Sequence, residues 1–203
     1  ISADGLVVMS NSGIDPSLEW IGQKARVEGR DSLAAQLIVD AKATLENVTI
    51  ISTDGEYQAS TVYEDRDLDL RFVKIDPSAL AKSGQTGFQH VEVSEYLNFG
   101  QVGIGDEVLA LARAAPEFDF IVSVVPGRVS GILQSHPVFY ITTAASAKGV
   151  PVFTDEGEFL GFTVQRVIDG KGTNLIGTLS AESVNFSTEI AKSRVLQAQR
   201  SGR

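Results

Sequence analysis

Short apolar runs separated by turn residues fill most of the chain, and that spacing reads as strands rather than helices. Leu6–Met9 follows an Asp4-Gly5 turn, and Val48–Ser52 and Glu56–Tyr63 flank Asp54-Gly55 as a hairpin. Leu70–Ile75 follows as a further strand. After a polar connection over Pro77–Phe88, the candidates are Val91–Val93, Glu107–Ala112, Phe120–Val125, Arg128–Leu133, Val138–Thr143, Pro151–Phe153, Phe159–Val167 and Leu175–Leu179. The period then changes. Over Ser187–Gln199, Ile190, Ala191, Arg194, Val195 and Ala198 share one helical face, with Ser187 placed to cap it. The pattern predicts an all-β molecule closed by a C-terminal helix.

One stretch does not fit this rhythm. Asp15–Ala43 is too long for an ordinary connection and contains Trp20, a charged segment over Lys24–Asp31 and an apolar run over Leu33–Val39. Trp20 is the candidate partner-binding residue, since a large flat side chain anchors interfaces well. Packing of the same ring onto its own barrel is the competing expectation.

Composition removes several classes of function. At 203 residues and 43% apolar content the chain buries a substantial core. A net charge of −9 offers no basic field for nucleic acid or an anionic membrane, so protein partners are expected. No apolar run approaches the roughly 20 residues of a membrane span, and the start lacks the layout of a signal peptide. Zero cysteines exclude disulfides, thiolate zinc sites and thiol catalysis. His90 and His136 stand far apart without ligand spacing, so no metal and no cofactor is expected. Both read as edge or loop histidines. Glu64-Asp65-Arg66-Asp67 carries both signs of charge, lacks the glycine and spacing of a calcium loop, and reads as a solvated turn.

Four segments, in order, carry a resemblance. Ser146-Ala147-Lys148-Gly149-Val150-Pro151-Val152-Phe153, followed by Asp155-Glu156-Gly157-Glu158-Phe159-Leu160-Gly161-Phe162, resembles the nucleophile loop of trypsin-like serine proteases, G-[ND]-S-G-G-P-[VL] with a D-x-G hairpin behind it. Ile1–Ile14 resembles the strand that delivers the catalytic histidine in the HtrA-type bacterial branch. Val48–Ala59 with Asp65–Ile75 resembles the segment that carries the catalytic aspartate. Gly105–Leu111 and Gly127–Ile132 resemble the opening of the second barrel and its G-x-[VI]-S strand.

The resemblance implies two six-stranded antiparallel β-barrels and a terminal helix. An N-terminal barrel would span 1–80, with its first strand expected before Ile1 and an insertion at 15–43, and a C-terminal barrel plus helix would span 81–203. It also implies a periplasmic or otherwise extracytoplasmic location. The aligned triad positions read Ser12, Asp69 and Lys148, so the imidazole and the nucleophilic serine are both replaced. The expectation is a degenerate site in a binding or structural subunit of a larger complex, with a Lys148–Asp69 ion pair filling the vacated place. Two alternatives stand beside it: a rearranged Ser12–Lys148 hydrolase, and a regulatory subunit of an active protease that holds an extended peptide.

Overall fold

The computed structural model describes residues 2–13, 48–52, 55–78, 87–96, 102–114, 118–119, 121–144 and 147–201. Trp20 and the rest of the 15–43 insertion lie outside the described residues. The first sheet holds β1 (Leu6–Ser10), β2 (Val48–Ser52), β3 (Gly55–Asp65) and β4 (Leu70–Ile75) in the order β1-β4-β3-β2. Every pairing in it is antiparallel. β4 is its centre, with Leu70, Phe72, Val73 and Ile75 all buried.

The second half closes on itself. β5 (Glu107–Arg113), β6 (Val122–Leu133), β7 (Phe139–Thr142), β8 (Pro151–Thr154), β9 (Phe159–Ile168) and β10 (Lys171–Ser180) form a six-stranded barrel in the order β10-β7-β6-β5-β8-β9. Closure removes exposed strand edges. Val108, Ala110, Val129, Ala144, Val152 and Leu160 fill one part of the interior.

Several sequence expectations change. The two strands expected over Phe120–Val125 and Arg128–Leu133 merge into one, β6, which begins at Val122, because Pro126-Gly127 is not a turn; Phe120 lies outside the described residues. Pro126 pairs with Leu109 on one side, and pairing to β7 starts only at Val129, so the proline stands where the other edge is open. Gly127 is required by a neighbour: a Cβ there would lie 2.3 Å from the Ala144 nitrogen. Val91–Val93 gives no strand, and Val93–Tyr96 forms a 3-10 turn instead.

The terminal helix α1 (Ala181–Ser201) starts a turn and a half earlier than its polar period suggests. Ser180 caps it, accepting from the Ser183 N–H at 3.4 Å. Ser187 is not a cap. It is buried on the inner face, where its hydroxyl donates to Asp65. That inner stripe runs Ala181, Val184, Ser187, Thr188, Ala191 and Val195, while Arg194 and Ala198 face solvent. Glu64 and Asp65 are therefore more than a solvated turn, since Glu64 also binds Arg71 at 2.8 Å.

Candidate functional site

Two sheets meet at Asp69, in the turn before β4. The residue is 3% exposed and has φ 57°, a left-handed conformation that aspartate tolerates better than most side chains. Its main-chain carbonyl accepts the Asn11 N–H at 2.8 Å, tying the turn to the end of β1. The carboxylate accepts from Ser12 N at 2.7 Å, Ser12 Oγ at 2.9 Å, Ser10 Oγ at 2.8 Å and Gln165 N at 2.8 Å. Three of these donors converge on Oδ2 and one on Oδ1. The last of them comes from β9, so the acid links the first sheet to the barrel.

The structure thus brings Ser12 and Asp69 together, and Lys148 joins them. Lys148 Nζ donates to the Ser12 carbonyl oxygen at 3.5 Å. The expected Lys148–Asp69 ion pair is not formed. The carboxylate is turned toward the donors of Ser10, Ser12 and Gln165, and the ammonium reaches the neutral Ser12 carbonyl instead. Ser10 and Gln165 complete the arrangement and were not anticipated. Ser10 closes β1, and the turn that follows it brings Ser12 onto the same carboxylate. Gln165 contributes a main-chain N–H, which no side-chain pattern announces.

No family model and no curated protein sequence matches the chain. Among solved structures, the MamO protease domain from Magnetospirillum magneticum, in its apo form, aligns with a TM-score of 0.55 over 92% of this chain and 84% of that one, at 16% identity. The fold is trypsin-like. At that identity the likeness speaks for the architecture alone.

Within this trypsin-like frame, the loop at Lys148 is firmly anchored. Gly149 sits at φ 81° and gives its N–H to the Thr163 carbonyl at 2.7 Å. Val150 N donates to Thr163 Oγ1 at 2.7 Å, and Thr163 N returns a bond to the Val150 carbonyl at 2.9 Å. Thr163 is fully buried on β9, which makes it a clamp with little freedom. The positive φ at Gly149 is one that glycine adopts readily, having no Cβ.

The two histidines stand elsewhere. His90 Nδ1 lies 3.1 Å from the Phe88 carbonyl and its Nε2 3.8 Å from Glu92, while His136 is exposed in the connection between β6 and β7. A cavity of about 260 Å³ also lies apart from Asp69, between the first sheet and α1, with Leu6, Lys74, Lys192, Val195 and Leu196 in its wall. Its lysines are already neutralised. Lys74 pairs with Asp4 at 2.6 Å, and Lys192 pairs with Glu189 at 2.9 Å and Glu92 at 3.7 Å. Burial pushes the Asp4 carboxyl up, but hydrogen bonds from Lys74 and Ser2 and the Lys74 charge together hold it below the ordinary value. The hydrogen bond to Glu189 raises Lys192. No helix among the described residues is long and apolar enough to cross a membrane.

Proposed function

We propose that this chain is a proteolytically inactive, HtrA-type variant of the trypsin-like fold that serves as a protein-binding subunit of a larger assembly outside the cytoplasm. The observation that carries the reading is the direct Ser12–Asp69 contact. Hydrolysis by this fold needs an imidazole between the aspartate and a serine hydroxyl. Here the Ser12 hydroxyl donates straight to Asp69 at 2.9 Å, and the nucleophile position holds Lys148. Both histidines of the chain are engaged or exposed elsewhere, which leaves no imidazole to fill the gap.

A Ser12–Lys148 hydrolase is less well supported. That chemistry needs a neutral amine accepting the serine proton. The Ser12 hydroxyl is instead directed at Asp69, and the ammonium reaches only the main-chain oxygen of Ser12. A binding role is favoured by the β5–β6 hairpin, whose outer residues Phe118, Ile121, Val122 and Val124 are 65%, 60%, 62% and 56% exposed. Adjacent apolar side chains of that size rarely face water on a protein that works alone.

The test is reaction with casein and with a fluorophosphonate probe. Neither cleavage nor labelling is expected. Stoichiometric labelling at Ser12 that disappears in Lys148→Ala would replace this reading with the hydrolase.

A further inference from the structure

We infer that Lys148 is the receptor for a peptide carboxylate, presented at the junction of the first sheet and the barrel. The inference rests on the non-hydrolytic reading above and names the ligand chemistry of the vacated site. A half-buried ammonium is costly to desolvate unless an anion or several good acceptors surround it. Lys148 has one hydrogen bond, a long one to a neutral carbonyl, and no carboxylate partner among the described residues. The acid beside it does not serve, because Asp69 is occupied by the donors from Ser10, Ser12 and Gln165.

Three other half-buried cations are paired: Lys74, Lys192 and Arg71 each contact a carboxylate within the chain. With 26 acidic residues against 17 basic ones, acids to neutralise a cation are plentiful, so the lack of an ion pair at Lys148 among the described residues reflects its position rather than a shortage. Arg166, directly after the Gln165 N–H that holds Asp69, is a second half-buried cation without an ion pair among the described residues. The main-chain N–H of Lys148 also has no acceptor among them. A half-buried ammonium without an anion within ion-pair distance among the described residues fits an anion delivered by a partner. The overall charge of −9 disfavours a polyanion such as nucleic acid and leaves a single carboxylate as the matching group.

The main chain that follows Lys148 is held still. Thr163 binds Gly149 and Val150, so Lys148 is offered from an anchored base and binding costs little ordering of that main chain. The carboxylate has two sources in a protein ligand, the C-terminus or an aspartate or glutamate side chain.

The experiment uses the full chain and three fluorescein-labelled pentapeptides of alanine and valine: one with a free C-terminal carboxylate, the same peptide as its amide, and an amide with one internal glutamate. Anisotropy should show at least about tenfold tighter binding of a carboxylate-bearing peptide than of the neutral amide, a preference that weakens with added sodium chloride. Binding of the free acid alone assigns the C-terminus; binding of the glutamate peptide assigns a side chain. Lys148→Gln should erase the preference and Lys148→Arg should keep most of it. Equal binding of acid and amide, no binding of any peptide at millimolar concentration, or an unchanged preference in a folded Lys148→Gln would overturn the inference. The acid-against-amide comparison on the unaltered protein decides the matter even if a variant does not fold. Mass spectrometry of the same mixtures separates the two levels of argument, since cleaved peptide would sink the non-hydrolytic reading, whereas intact peptide with no carboxylate preference sinks only this one.

Discussion

Ser12 engages both oxygens of Asp69, its main-chain N–H one oxygen at 2.7 Å and its hydroxyl the other at 2.9 Å. Ser12 is therefore held by the aspartate twice. With Ser10 of β1 and the Gln165 N–H of β9 on the same carboxylate, Asp69 acts as a structural fastener between β1 and β9.

Replacing that fastener should be expensive. Asp69→Ala leaves the Ser12 and Gln165 N–H groups without their acceptor and places alanine at a left-handed φ. We expect a loss of about 3–5 kcal/mol in urea unfolding. Asp69→Asn keeps a carbonyl acceptor and tolerates the same backbone, so it should lose roughly half as much. Equal losses for the two variants would contradict the role assigned to the acceptor.

Two glycines separate steric need from backbone need. At Gly161 a Cβ would lie 1.9 Å from the Leu179 carbonyl oxygen, and main chain cannot yield there. Gly157 has open space around it but φ 86°. Gly161→Ala should cost about 3 kcal/mol or more, while Gly157→Ala should cost about 1 kcal/mol. Chemical denaturation of the two variants side by side checks the order.

Acid should loosen the contact between α1 and the 3-10 turn. The Ser94 hydrogen bond, helped by the nearby Lys192 and His90, holds the Glu92 carboxyl below its ordinary 4.5 despite partial burial. A carboxyl lowered by folding gives its full stabilisation above the ordinary value and loses it as pH falls through the folded value. Melting temperature should therefore decline as pH drops below 4.5, and more shallowly in Glu92→Gln. Parallel curves for the two proteins would remove Glu92 from the account.

The exposed hairpin makes a contrasting case. Val122 and Val124 lie on the outer surface of β6, so replacing both with lysine should change stability by no more than about 1 kcal/mol. The same change should release the chain from its complex in gel filtration of extracts from the native source. A complex of unaltered size would show that this surface is not where the partner sits.

Much of the fold could be read from alternation, because most strands have one face in a core and one outside it. The exceptions have local causes. Pro126-Gly127 looks like punctuation, yet its glycine answers to the Ala144 main chain from a distant part of the sequence. The buried stripe of α1 includes Ser187 and Thr188, polar residues that satisfy themselves against Asp65 and the Val184 carbonyl, so hydrophobicity alone placed the helix start too late. At the site, alignment brought Ser12, Asp69 and Lys148 together correctly. Opposite charge then suggested an ion pair, because the competing donors from Ser10 and the Gln165 main chain are visible only once the sheets are assembled.

The core described for α1 has a mechanical consequence. Leu6, Leu70 and Phe72 of the first sheet share a single apolar cluster with Phe159, Phe162, Val164 and Leu179 of the barrel and with Val184 and Ala191 of the helix. A seam welded in this way leaves no hinge, so the junction that carries Asp69 and Lys148 keeps one geometry whether occupied or empty. Recognition at such a junction works by selection of shape, with ligands sorted by fit against an unyielding template rather than gripped by a closing one.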